Sequence, residues 1–309
     1  MHPAYSVIFF TTASGAGYGL LTLIGIFNLL DLLPDTRWFG LAGLGLALTL
    51  ITSGLLSSTF HLGHPERAWR AMTQWRSSWL SREGVVSVLT FIPALLWGFG
   101  WIVLEKHTGI WGFLGLLASL GAVLTVYCTA MIYVSLKAIP AWTDSKVLPS
   151  YLILGLGTGA LLLDALLRSF DASSLLMTLL VVFSLSLGWR LKFSYWQALD
   201  RNVMESTMAS ATGLGKQVKA LDPPNTGATY VQEEMGYRIG RKHADKLRHI
   251  CTISLFVIPI TLGLIAVAAP AVSSFLSFVS VFSAAIGIVI ERWLFFAQAK
   301  HVVSLYYGR

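Results

Sequence analysis

Between Phe60 and Glu83 the chain reads FHLGHPERAWRAMTQWRSSWLSRE. It gathers two histidines, two glutamates and four arginines at the mouth of an apolar run, in a protein where only 12% of residues are charged. Charge beside hydrocarbon is costly, so such a cluster points to a reaction, an ion or a partner. His61 closes the apolar run GLLSSTF, and His64 and Arg67 follow at i+3 and i+6. Pro65 predicts a turn or a restarted helix after Gly63. Arg82 and Glu83 are expected to open the next helix with Ser81 as its cap. The two helix ends are then expected to face each other and to bring His61, Arg67 and Glu83 together. Imidazole exchanges protons near neutral pH, a guanidinium stabilises an oxyanion, and a carboxylate passes a proton on. A ring whose two oxygens lose protons on oxidation, such as a quinol, needs that set at a lipid boundary. The plain alternative is a solvated, salt-bridged loop in which histidine only caps a helix.

A second polar group lies in IVIERWLFFAQAKHVVSLYYGR. Glu291 and Arg292 interrupt an apolar segment, and Lys300 and His301 follow near its exit. Adjacent residues on a helix do not face each other, so each is expected to need a partner elsewhere, on the second or third helix. They read as a proton route or ligand contact, or as an ion pair fixing the bundle. Tyr133 and Trp142 could line an aromatic pocket for a ring, although interfacial belt residues look the same. The seven histidines all fall in loops or at span ends, so no haem is expected; His61 with His249 is the one conceivable axial pair. Neither a P-loop, a dinucleotide fingerprint, nor a CxxC or HExxH signature occurs, and no metal site is expected on this chain. Cys128 and Cys251 lie inside apolar runs and read as small buried residues.

The positioning elements are membrane helices. Hydrophobic residues make up 55% of the chain, and mean hydropathy is +0.69. About 20 apolar residues cross a bilayer. Eight segments reach that length, near 6–30, 38–60, 85–104, 110–136, 149–167, 174–194, 249–269 and 274–298. The fifth holds Asp164, placed near its end where reaching the interface is cheap. The first run has a short neutral leader without a cleavage site and reads as a retained helix. The fold class is therefore an all-α integral membrane protein, a bundle of eight transmembrane helices. Only Arg37, Lys106 and Arg168 of the 22 basic residues fall on the side away from the termini. By the positive-inside rule the termini are cytoplasmic, in a multi-pass protein of the bacterial inner membrane.

Residues 1–309 read as a single polytopic membrane domain with a cytoplasmic insertion at about 195–248. The insertion passes through LDPPNTGATY and ends in QEEMGYRIGRKHADKLR, which reads as a surface helix. It would either lie on anionic headgroups or dock another subunit. Two GxxxG pairs, Gly15 with Gly19 and Gly155 with Gly159, carry the spacing of closely packed helices.

The stretch His61-Leu62-Gly63-His64-Pro65-Glu66-Arg67-Ala68 resembles the HLG-x-P-x-RA motif of the DmsC family, the polytopic anchors of dimethyl sulfoxide reductase and its relatives. Leu80-Ser81-Arg82-Glu83 and ERWLFFAQAKHV agree, and with the eight-span layout the resemblance covers essentially the whole chain. It implies a membrane subunit of a quinone-linked oxidoreductase, with substrate catalysis on partner subunits. An iron–sulfur subunit and a molybdopterin catalytic subunit would bear those cofactors. The family's quinone histidine, arginine and glutamate map onto His61, Arg67 and Glu83. His64 is included in the quinone (ubiquinone or menaquinone) site, with Tyr133, Trp142 and Glu291 as outer candidates. The basic face and the long loop resemble the sulfite dehydrogenase branch, implying partners on the cytoplasmic face and electrons flowing from sulfite to quinone. The alternatives are a quinol-oxidising anchor of a dimethyl sulfoxide reductase-like complex and, from another class, a membrane transporter with inverted halves.

Overall fold

The computed structural model describes residues 5–60, 64–201, 207–215, 218, 221–222, 227 and 238–302. Eight long apolar helices make up the bundle: α1 (Tyr5–Leu29), α2 (Arg37–Thr59), α3 (Trp79–Ile102), α4 (Ile110–Val134), α5 (Val147–Ser169), α6 (Leu175–Arg201), α7 (Ala244–Ala268) and α8 (Ser273–Ala297). The described residues contain no strand. Each expected span is present, with some ends moved. The largest shift of a helix start is at α3, which begins six residues before the apolar run at 85 because Ser78, not Ser81, caps it by accepting from the Ser81 amide. A helix start follows its cap rather than its first apolar residue.

α1 lies in the middle, packed on α2, α4 and α5. The GxxxG pairs explain the closest of these approaches. A Cβ on Gly19 would strike the Gly155 carbonyl, and one on Gly159 would strike the Gly19 backbone. In a membrane such contact supplies the packing that apolar burial alone does not. α7 contains a π-helical turn at Thr252–Val257 ahead of Pro259. Pro259 has no N–H to offer the Ser254 carbonyl, and Ser283 of α8 supplies the donor at 2.8 Å.

Alternating helices sort the connections into two ends. One end holds Tyr5, the segment after α2, the α4–α5 and α6–α7 connections and Val302. There the Val302 amide donates to Ala138, and the Trp142 indole to Phe295. The insertion is shorter than expected. α6 runs on to Arg201 and α7 begins at Ala244, where Arg248 clamps Asp200 with two hydrogen bonds of 2.7 and 2.9 Å. ADKLR is therefore the first turns of a spanning helix, not a separate surface helix. Most of DPPNTGATY and QEEMGYR lies outside the described residues.

At the opposite end Asp164 lies near the end of α5, as expected. It is buried within the bundle and pairs with Arg168 one turn later at 2.8 Å. Arg168 also donates to Thr178 at 2.9 Å, so the pair ties α5 to α6. His107 fills the same structural role nearby, between Asn28 and Asp35 at 2.9 and 2.7 Å.

Candidate functional site

His61, Leu62 and Gly63 lie outside the described residues. From His64 the chain forms a 3-10 helix, Pro65–Gln74, whose side chains are largely exposed. Pro65 starts it, as the missing N–H costs nothing in a first turn. His64 and Arg67 both reach Glu66, His64 at 3.0 Å and Arg67 at 3.7 Å, in open solvent. The segment is held down on the start of α3. Ser81 donates to the Ala71 carbonyl, and Arg82 donates to the Trp75 and Arg76 carbonyls at 3.0 and 2.7 Å. The arginine also lies 4.2 Å over the Trp79 ring. Arg82 is thus a structural strap, a role the sequence did not suggest.

Glu83 sits apart from this surface. Because Ser78 moves the helix start back, Glu83 is about 6 Å into α3 rather than at its lip. It is only 4% exposed and accepts a hydrogen bond from Thr129 of α4. Two members of the expected trio of His61, Arg67 and Glu83 therefore part company: Arg67 turns to Glu66 at the surface, while Glu83 turns inward. Among the described residues Glu83 takes no hydrogen bond beyond that of Thr129. One turn deeper, Ser87 meets Tyr18 of α1 at 2.8 Å.

The second cluster departs further from expectation. Glu291 reaches Lys192 of α6 at 2.6 Å and, despite adjacency, Arg292 at 3.1 Å. Side chains this long fold back over the helix surface, which an argument from Cα directions misses. Their partners are on α5 and α6, not on the second or third helix. Arg292 lies 3.8 Å over the Tyr151 ring, and Lys192 lies 4.2 Å over that of Tyr195. All three charges are essentially buried, and the cation-π contacts offset part of the desolvation. Hydropathy ends the sixth span near 194 and so leaves Lys192 at its edge, whereas the helix carries it inside. The signal available was its spacing: Tyr195 and Trp196 follow at i+3 and i+4, the arrangement that shields a buried lysine on a helix.

Tyr133 and Trp142 do meet, at 5.2 Å edge to face, but in a packed aromatic core with Tyr151, Phe295 and Phe296. Neither belongs to an interfacial belt, and neither lines the two cavities of this region. The larger cavity opens among α1, α4, α5 and α8, with Thr11, Tyr18, Thr129, Tyr151, Thr158 and Arg292 in its wall. The smaller contains Ser150, Tyr151, Lys192, Tyr195 and Glu291. Tyr151, unremarked in the sequence, is common to both. The arrangement is a polar layer inside the bundle, one to two turns below an exposed basic rim, with groups able to hold and transfer protons.

Comparison with known proteins agrees with this architecture. No solved structure matches the chain. A sulfite dehydrogenase subunit of Allochromatium vinosum is 32% identical over 332 aligned positions, covering 99% of each chain. The family model for the DMSO reductase anchor subunit (DmsC) matches residues 1–308. With a match of that extent, the membrane helices, the basic rim and the buried carboxylates belong to a member of the DmsC family of anchor subunits.

Proposed function

We propose that this chain is the quinone-reacting subunit of a membrane-bound oxidoreductase, passing electrons from a cytoplasmic iron–sulfur partner and a molybdopterin catalytic subunit to quinone. The observation that carries this is Glu83. It is a buried carboxyl about one turn into α3, and among the described residues the Thr129 hydroxyl is its one hydrogen-bond donor. That donor set fits a ring oxygen that gains a proton as electrons arrive. Glu83 would hold the proton at that oxygen, Thr129 would orient the carboxyl, and His61, the family's quinone histidine by its motif, would engage the ring. His64 and Arg67, sharing Glu66, would border the entrance rather than touch the ring. Quinone supplies the two-electron chemistry when bound.

The name of the Allochromatium relative supports sulfite as the partner's substrate, and the excess of basic residues at the end carrying Tyr5 and Val302 supports a cytoplasmic partner. The family's description favours a second reading, the reverse flow from quinol to dimethyl sulfoxide, which the same residues would serve. In the assembled complex, Glu83→Gln and His61→Ala should each lower quinone-coupled turnover by about 10² or more. Oxidation of sulfite with a soluble artificial acceptor should stay at the wild-type rate. Unchanged turnover with quinone in both variants would remove the site. Reduction of dimethyl sulfoxide by quinol, with no activity towards sulfite, would select the reverse direction.

A further inference from the structure

Pro65–Gln74 is ten residues long, whereas a 3-10 helix seldom runs past about four. Its three-residue turn sets every third side chain on one line. Trp69, Met72 and Trp75 fall on one such line, and Arg67, Arg70, Thr73 and Arg76 on the next. An α-helix, at about 3.6 residues per turn, would bring Arg76 in among the apolar three. The apolar line is the one turned towards the bilayer. Met72 rests on Gly84, about one turn into α3, with its Cγ 3.5 Å from where a Cβ would stand. The indoles on either side of it, Trp69 and Trp75, stay more than half exposed. So do Leu56 and Phe60 at the end of α2 and Leu80 at the start of α3, two helices of which less than half is buried in the bundle. The basic line carries charge without a counterpart. Arg67 reaches Glu66, the one acidic residue between Pro65 and Ser78. Among the described residues Arg70 and Arg76 have no carboxylate partner. Each lies over the indole beside it, at 5.6 and 5.5 Å from the ring centroid. A guanidinium stacked in this way keeps its N–H edge free for an oxyanion, and an indole suits the level where headgroups meet acyl chains.

We propose that Arg70 and Arg76, each stacked on its tryptophan, bind the phosphates of anionic phospholipids, while Trp69, Met72 and Trp75 sit among the upper acyl chains. The segment then lies in the headgroup layer as an interfacial helix, pinned to α3 through Ser81 and Arg82. Two observations favour lipid over a protein partner. The apolar line continues into the outward-facing sides of α2 and α3, and the uncompensated charge is basic at the depth where lipid phosphate stands. The proposal is independent of the reading of Glu83.

The test uses the intact complex. In nanodiscs containing phosphatidylglycerol, nitroxide labels on Trp69→Cys and Thr73→Cys report the two lines, since Cys128 and Cys251 are buried. The first label should collide mainly with oxygen, which dissolves in lipid, and the second mainly with a water-soluble nickel chelate. Two labels shielded from both agents would show a protein lying over the segment, and two labels open to the chelate alone would place it in water. Either result overturns the proposal. Binding is read separately, with spin-labelled phosphatidylglycerol or phosphatidylcholine added to delipidated complex. Phosphatidylglycerol should bind more tightly, and Arg70→Gln and Arg76→Gln should each weaken it about fivefold while leaving phosphatidylcholine unchanged. Wild-type affinity for phosphatidylglycerol in the double variant would overturn the lipid site. So would its displacement by inorganic phosphate, which would assign the arginines to a soluble anion.

Discussion

At the scale of single residues, the charges inside this bundle divide by what they touch. Asp164 pairs with Arg168, which also donates to Thr178, and they join helices at the end remote from the rim. Lys192, Glu291 and Arg292 are equally buried but border cavities. Removing one member of a buried pair strands the other. Lys192→Met should therefore destabilise the protein by about 3–5 kcal/mol, and the double variant Lys192→Met with Glu291→Gln by less. Thermal unfolding in detergent followed by tryptophan fluorescence would measure this; a double variant as unstable as the single one would show that Glu291 is satisfied without the lysine. Lys192 is out of reach of a sequence reading because hydropathy ends a span at the first charges, whereas α6 carries its lysine inside under aromatic cover. Glu83 and Glu291 were legible as unusual. Their partners, Thr129 and Lys192, were not, since pairs on different helices leave no local pattern.

At the scale of elements, the crossing of α1 and α5 is the tightest point. Gly159→Val would drive a branched side chain into the Gly19 backbone, a clash expected to cost about 1–3 kcal/mol or more. Gly45 has nothing within 4 Å of its would-be Cβ, and Gly45→Ala should be neutral or slightly stabilising. Yield of folded protein by size exclusion would distinguish them, and equal yields would mean that the glycines set no close approach. Ser78→Ala should cost about 1 kcal/mol by removing the α3 cap. The GxxxG spacing announced close packing, but it named no partner helix. Only the folded chain matched one pair to the other.

At the scale of the molecule, an even number of spans gathers the basic rim, the 3-10 segment and the α6–α7 connection at one end. With buried Cys128 and Cys251 as a silent background, Thr73→Cys should resist an impermeant thiol reagent in intact cells, and Glu105→Cys should react. The opposite labelling would invert the topology and move the partner subunits across the membrane. Hydropathy and the order of the basic residues were enough for eight membrane helices and for the distribution of charge between two ends, and a separate residue motif carried the resemblance to the family. Those properties are written along the chain, because lipid demands about 20 apolar residues at a stretch. Which carboxylate turns inward and which lysine answers Glu291 were decided by helix packing. A buried polar group can be satisfied by any helix that happens to lie beside it, and that neighbour is chosen in three dimensions.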